Sequence, residues 1–491
     1  MIWITLFLGL NLTAARQVLI SADSDPALHR RLGEWMIQHG AIMRENDLLH
    51  THHGLYVTKE WLSEVLFAAA GYAFGWNGFV LIAAALIATC FWLLHRQLLG
   101  EGCDVVLATG LAFVAMLACS MHWLARPHLF THLLTIVFAG QLSLFKCGRI
   151  AARRLFTLLP LLMVLWVNLH GAFMTGLTLI FMYVLGNTIS ILRRHGSFEK
   201  SVVLAMVLLA CCAASLANPN GWRLLSHILN FFRSRELSSL TTEFASPNFH
   251  TSGTKGFVLL LLLLGVTLLV ARPKLDATEM LLVGGWGCLA LFSARNMPIF
   301  ALVAVPLLGR WLAEFAHANQ HLRWPQLYHR WTTRLMLSDR AAGSTAPIAV
   351  VIVSVLLIIA KPRIVGGAPV LATDFPPARY PTVAVSYLLA HPDVVQGEMF
   401  NSFLWGGYLD FTLRGRRPFI DSQVPFYGVE LVREFRMANE PEPGWENVFR
   451  MYNVGWTILP VQHPLNRILE LSPHWGLAFS NQQALVFVRR Q

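Results

Sequence analysis

Charge is scarce in this chain of 491 residues: Asp, Glu, Lys and Arg make up 13% of it and hydrophobic residues 55%. Soluble domains carry roughly 25% charged residues, so the scarcity excludes an ordinary soluble protein, as does a mean hydropathy of +0.53. Cysteine is sparse where a framework would need it. Cys90, Cys103, Cys119, Cys147, Cys211, Cys212 and Cys288 lie in or beside apolar runs, with none in a long polar loop or after Lys361, so no disulfide scaffold is indicated. The N-terminus lacks a basic n-region and an Ala-x-Ala site, and reads as a retained helix instead of a signal peptide. No Gly-rich phosphate loop of standard spacing is present. The formal net charge is +11, but its basic residues sit in short loops between apolar runs. That is a topology signal, and nucleic acid is not an expected partner.

What is present is a succession of apolar runs of about 16–20 residues, the length that crosses a hydrocarbon core of roughly 30 Å. Lipid-exposed backbone must satisfy its own hydrogen bonds, so the runs are helices. The spacing predicts spans at 2–20, 78–95, 104–122, 128–145, 155–168, 171–191, 201–217, 256–271, 278–294, 297–313 and 347–360. The fold class is an α-helical polytopic membrane protein of about eleven transmembrane helices, with a small C-terminal α/β domain. The segment Trp61 to Trp76 carries Glu64 and Gly71 and is short, so it reads as an interfacial or re-entrant helix.

With the N-terminus inside, the inner loops hold Arg96; Lys146, Arg149, Arg153 and Arg154; Arg193, Arg194 and Lys200; Arg272 and Lys274; and five arginines between Arg310 and Arg340. The short loops of the opposite set hold only Arg126 and Arg295. This positive-inside bias puts the first polar loop (21–77) and everything after Lys361 outside, in the periplasm of a bacterium. The expected domains are therefore 1–360 in the membrane and 361–491 in the periplasm.

The outer loops then carry the unusual polar residues: Asp23 and Asp25, LARPH with Arg126 and His128, NLHG with Asn168 and His170, NPNGW with Asn218, and ARNMP with Arg295. Ionisable groups at membrane depth point to function. Asn-Pro and Asn-Gly also make plain turns, and a single Arg near a helix end also snorkels. Asp25-Pro26 also reads as an N-cap followed by Pro at the first helical position of a helix from Ala27 to His39. Glu60 before Trp61 also fits the first turn of a helix. His50, His52 and His53 lack a frame for metal ligation, and Asn11 lies within a span, which excludes glycosylation there.

The arrangement resembles the GT-C superfamily of membrane glycosyltransferases, which use polyprenyl-phosphate-linked sugars and open their first outer loop with an acidic residue. More closely, DSDPALHRRLGEWMIQHG followed by KEWLSEVLF is similar to a family of bacterial multi-pass membrane proteins with the pattern DPDxxxHLxxGxxI before EWL. RPHLFTHL, WVNLHGAF, NPNGW, ARNMPIFAL and FNSFLWGGYLDF with FIDSQ extend the likeness over nearly the whole chain. The chain departs from better-known GT-C patterns in having Asp23-Ser24-Asp25-Pro26 in place of Asp-Glu, and no His-Pro-Pro-Leu motif.

The resemblance implies sugar transfer from a polyprenyl-phosphate donor to an envelope glycan, lipid or protein acceptor at the outer face of the inner membrane, with inversion. The alternatives are a non-catalytic polysaccharide-assembly protein or a lipid or glycan transporter. Such a transfer needs a carboxylate for the acceptor proton and cations for the departing phosphate. Asp25 is the expected base, with Asp23 as its alternative. Glu60 is the second carboxylate, binding the acceptor or, with Asp25, a divalent metal ion. Arg126, His128, His170 and Arg295 are expected on the phosphate, and Asn168 and Asn218 on sugar hydroxyls.

From Lys361 the composition turns soluble, with a Pro-rich linker (Ala368 to Pro381). Helices are expected at Val383 to Ala390, after Trp405-Gly406-Gly407-Tyr408, at Val429 to Met437 and at Trp445 to Tyr452. Strands are expected at Glu398 to Asn401, Pro418 to Asp421, Trp456 to Pro460 and Ala484 to Arg489. Together they make an α/β layer of about 120 residues. Asp421, at a strand end near Asn401 and Tyr408, is a turn residue or a contact for an acceptor glycan.

Overall fold

The computed structural model describes residues 2–13, 15–45, 47–51, 54–234, 236–237, 241–319, 332, 364–365, 368–369 and 374–490. The expected span 347–360, His52 and His53 lie outside the described residues. Among the described residues, 7 helices are long and apolar enough to cross a membrane: Trp76–Gly100, Val105–His122, His128–Lys146, Ala152–Leu169, Gly171–Leu192, Ser252–Val270 and Ala294–Ala318. The chain is a polytopic membrane protein.

Among the described residues, three of the expected runs do not form one long helix, each for a local reason. The run 2–20 divides into Ile2–Leu12 and Ala15–Ser21, a broken pair that makes an eighth span when taken as one. There the Thr13 hydroxyl donates back to the Gly9 carbonyl at 2.6 Å, a bond that competes with the helix ladder. Arg16, buried at 4% exposure, donates to Asn77. The run 201–217 forms Phe198–Ala214, 17 residues. The run 278–294 forms Ala277–Phe292, interrupted by a π segment over Leu281–Gly285. Trp61–Phe74 is a helix of 14 residues, about 21 Å at 1.5 Å per residue and too short to span.

The chain separates into two compact units. The first comprises Met1–Thr13, Ala83–Asn218 and Thr242–Pro362. At its centre runs Met297–Ala318, in which every residue from Met297 to Val305 is buried; a helix apolar on all sides belongs in a core. It packs against Val105–Cys119, His128–Lys146 and Lys255–Val270. Leu209, Leu262, Leu269 and Phe292 stay exposed on peripheral helices, as lipid-facing side chains do. Lys146, at the C-terminal end of its helix, pairs with Asp276 and, at 3.4 Å, with Glu279, which also binds Arg310.

The second unit comprises Ala14–Ile82, Pro219–Thr241 and Arg363–Gln491. It holds a four-stranded sheet in the order Glu398–Asn401, Val454–Pro460, Ala484–Arg489, Trp475–Ser480. The first pair is parallel and the others antiparallel. The helices form as expected at Thr382–Ala390, Gly406–Thr412, Gly428–Asn439 and Trp445–Met451. Pro464–Leu471 and Trp475–Ser480 are additions to the expected elements.

Pro418 to Asp421 is not a strand. Its backbone groups find side chains instead of a ladder. Asn401 Oδ1 accepts from Phe419 N–H at 2.8 Å and Ile420 N–H at 3.4 Å, while Asn401 Nδ2 donates to Ile420 O at 2.9 Å. The Thr51 hydroxyl donates to Phe419 O at 2.7 Å. Buried backbone needs partners, and these are sufficient. Asp421 is therefore at no strand end.

Candidate functional site

In the second unit the site is built on two helices from the first polar loop. Asp25–His39 begins with Ser24 as N-cap and no side-chain capping bond. Asp25 is thus the first helical residue, not the cap, and Asp23 Oδ1 accepts its backbone N–H at 3.1 Å. Asp25 and His29 stand one turn apart, on the same face. One turn further, a Cβ on Gly33 would lie 2.1 Å from the Glu64 carbonyl oxygen. The absence of a side chain there lets Trp61–Phe74 cross against Asp25–His39. His29 is thereby brought to the first turn of the other helix, where Glu60 and Glu64 are likewise one turn apart.

His29 Nδ1 donates to Glu64 Oε1 at 3.3 Å and lies 3.8 Å from Glu60 Oε2. Glu60 and Glu64 are 5% and 3% exposed. Burial and the neighbouring Glu60 charge raise the Glu64 pKa above the ordinary carboxylate value, although His29 opposes them. Burial pulls the His29 pKa down, but the hydrogen bond to Glu64 and the charges of Glu60, Glu64 and Asp25 together raise it. The three ligand atoms lie within 4.8 Å of one another and could hold a metal ion. Glu64 Oε2 is buried without a hydrogen-bond partner among the described residues, an orphan acceptor that a cation would satisfy. One imidazole nitrogen and two carboxylates suit a divalent ion of intermediate hardness.

More carboxylates surround this group. A Cβ on Gly407 would lie 2.8 Å from Ser24 O and from Leu28 Cβ, so Gly406–Thr412 packs directly on the start of Asp25–His39. Its Asp410 is 3.8 Å from Arg31, and burial, outweighing Arg31 and Arg414, pushes it up to about 7. Asp421 accepts from Gln423 N–H at 2.7 Å and from the Tyr427 hydroxyl; burial raises it to about 8. Glu34 is held by Arg30 at 2.8 Å and by Arg414. His50 donates to Met399 O at 2.9 Å and sits edge-on to Phe419, a structural role.

In the first unit a second polar group forms where helices begin and end. Arg126 precedes His128–Lys146, His170 follows Ala152–Leu169, and Arg295 lies in the turn Ala294–Asn296 before Met297–Ala318. Glu243, in the turn Thr242–Phe244, stands between the two arginines, 3.4 Å from Arg126 Nη1 and 3.8 Å from Arg295 Nη1. Burial would raise its pKa, but Arg126 and Arg295 outweigh burial and hold it at about 2. Arg295 Nη2 faces His170 Nε2 at 3.4 Å, His170 Nδ1 meets Thr131 Oγ1 at 2.7 Å, and Trp166 Nε1–H donates to Thr131 at 2.8 Å. Ala172 N–H also donates to His170 Nδ1, at 3.3 Å, so both ring nitrogens face N–H donors.

His128 meets the His122 carbonyl at 2.6 Å and the His132 ring at 5.3 Å, which places it at the edge of the group. Asn168 donates to Val164 O and Ala217 O at 2.7 and 2.8 Å, and Asn218 to Ser215 O at 2.9 Å. These two amides serve backbone carbonyls at helix ends. Glu243, His29, Glu64 and Asp410 were not anticipated as site residues. Two signals were available for three of them: the i, i+4 pairs Asp25/His29 and Glu60/Glu64, and the presence of acids in otherwise apolar helices. Glu243 had none.

Three solved structures share this architecture. The oligosaccharyltransferase AglB from Archaeoglobus fulgidus, in complex with an inhibitory peptide and a dolichol-phosphate, aligns with 100% of this chain and 74% of its own at 12% identity and a TM-score of 0.52. ArnT from Cupriavidus metallidurans, bound to undecaprenyl phosphate, aligns over 99% and 97% at 13% identity and a TM-score of 0.51. The arabinofuranosyltransferase AftD from Mycobacteria aligns over 99% of this chain but 41% of its own at 14% identity and a TM-score of 0.53. The chain has the GT-C fold. No protein-family model and no curated protein matches the sequence. The likeness to GT-C transferases is one of architecture, and the residues above are what this chain itself brings to that fold.

Proposed function

We propose that this GT-C-fold protein is an inverting glycosyltransferase that moves a sugar from a polyprenyl-phosphate-linked donor to a cell-envelope acceptor. The reading sets the reaction at the outer face of a bacterial inner membrane, with residues 361–491 in the periplasm. The observation that carries it is Asp25 at the start of its helix, one turn before His29 and its buried partners Glu60 and Glu64. AglB and ArnT, which share the fold, were solved with a dolichol-phosphate and with undecaprenyl phosphate.

In the proposed reaction Asp25 takes the proton of the acceptor hydroxyl as its oxygen attacks the anomeric carbon. The carbon–oxygen bond to phosphate breaks on the opposite face, through an oxocarbenium-like state. The leaving phosphate carries away the electron pair. Arg126 and Arg295 are the guanidiniums proposed to neutralise it, with His170 orienting Arg295 and His128 at the edge. Asp23 holds the backbone of Asp25 in position. Asn168 and Asn218, whose amide N–H groups bind backbone carbonyls, are proposed on sugar hydroxyls.

A divalent ion, if one is held, would sit on His29, Glu60 and Glu64, where it would neutralise the carboxylates and orient an oxygen ligand. Binding it requires the Nδ1 proton of His29 to leave, so uptake should release a proton and weaken as pH falls. The test of the reading is Asp25→Asn in cells, with glycolipid and envelope-polysaccharide output measured alongside the membrane level of the protein. Loss of transfer at normal abundance supports it. Unchanged output overturns it.

A further inference from the structure

The arginine group of the first unit sets two guanidiniums against one carboxylate. A polyprenyl-linked sugar can be attached through one phosphate, a phosphodiester with one negative charge, or through a diphosphate with two. We infer that Glu243 sets which of these the Arg126–Arg295 pair accepts, and that the donor is the phosphodiester. The inference rests on the transferase reading above and deepens it.

Three observations carry it. First, Glu243 lies within 4 Å of both guanidiniums, 3.4 Å from Arg126 and 3.8 Å from Arg295. It is a carboxylate lodged where an incoming phosphate oxygen would seek the same N–H donors. Second, the turn that bears it is fastened to the turn that bears Arg295. The Ser293 hydroxyl donates to Glu243 O at 3.0 Å, Ala294 N–H donates to Ala245 O at 2.9 Å, and the Arg295 guanidinium lies over the Phe244 ring at 5.1 Å. The turn is therefore fixed beside Arg295, and the carboxylate it bears is a resident counter-ion. Third, Glu243 is ionised at every physiological pH, held there by the two arginines.

The count follows. Two guanidiniums and one carboxylate leave one positive charge, and His170, whose two ring nitrogens both face N–H donors, adds none. A phosphodiester neutralises that charge. A diphosphate would bring a second negative charge against Glu243, in a half-buried site that water screens only in part, and like charges a few ångströms apart disfavour binding. The side chains of Arg295 and Glu243 are 33% and 27% exposed, which leaves the guanidinium accessible to a ligand with the carboxylate still beside it.

The experiment uses the full-length protein in detergent and two probes with the same short prenyl tail, a methyl phosphodiester and a methyl diphosphate ester. Affinities are measured by calorimetry for the wild type, Glu243→Gln, Glu243→Asp and the double variant Arg126→Gln/Arg295→Gln. The wild type should favour the phosphodiester by about tenfold or more, the scale of one uncompensated charge in a partly screened site. Glu243→Gln should shift the ratio toward the diphosphate by about the same factor, and Glu243→Asp should retain the wild-type ratio, which separates charge from folding. A wild-type preference for the diphosphate, or an unchanged ratio in Glu243→Gln, overturns the inference while leaving the transferase reading intact. If the double arginine variant binds both probes as the wild type does, the pair is no phosphate site and the donor half of that reading falls as well.

Discussion

Two polar groups, one in each unit, apply the same physics with opposite sign. In the second unit carboxylates outnumber cations in the interior. Burial there lifts Asp410 to about 7 and Asp421 to about 8, raises Glu64, and the acids together raise His29. In the first unit two guanidiniums flank one carboxylate, and Glu243 is held at about 2 despite its burial. An acid-rich interior keeps protons and attracts cations; a cation-rich one sheds protons and attracts anions.

The predictions press on that contrast. The largest effect is expected at Asp25. Asp25→Asn should lower transfer by about a hundredfold or more, the usual scale for removing a general base, while Asp421→Asn leaves turnover near wild type. Equal losses in both would erase the distinction between the proposed base and the acids that only line the interior. Next comes metal affinity. Glu64→Gln in the purified full-length protein should weaken Mn2+ or Zn2+ binding by about tenfold or more, as read by calorimetry. Glu243→Gln, with its arginine partners, should leave that affinity unchanged.

Stability against pH should separate the two groups more gently, and in opposite directions. The folded pKa of Glu243 lies below its ordinary value of 4.5. Its contribution is therefore present above about pH 4.5 and is lost as pH falls toward 2. Thermal melts should show Glu243→Gln less stable than the wild type at pH 7, with the gap closing in acid. The folded pKa of Asp421 is instead raised from 3.8 to about 8, so the wild type loses stability as pH rises from about 4 toward 8. Asp421→Asn keeps an oxygen for Gln423 N–H and the Tyr427 hydroxyl, and should melt a few degrees higher than wild type at pH 8 but not at pH 4. This is the smallest effect. A gap of the same sign for both variants across pH would break the comparison.

Much of the fold was legible because its causes are local. Runs of apolar residues make helices whatever surrounds them, and seven of the expected spans correspond to the helices long enough to cross a membrane. The short, acid-bearing helix Trp61–Phe74 was also legible, from Glu64 and its length. What misled was equally local. Pro418 to Asp421 has the apolar character of a strand, yet Asn401, Thr51 and Tyr427 satisfy its backbone. A side chain some twenty positions away decided its form.

The candidate sites divide along the same line. Asp25, Glu60, Arg126, His170 and Arg295 could be singled out because polar residues beside apolar runs are conspicuous in sequence. Glu243 is not conspicuous, because it lies in a long polar loop. It becomes significant only when folding brings it between Arg126, 117 positions away, and Arg295. His29 likewise looks like one more residue of a polar helix until Gly33 lets that helix close on Glu64. The sequence by itself determined that this is a membrane protein, that its helices lie where they do, and that ionisable groups gather at their ends. Which charges meet was decided only by the tertiary structure. Apolar periodicity is a property of neighbours along the chain, whereas a Coulombic pair depends on distance in space, and backbone crossings such as the one at Gly33 set that distance.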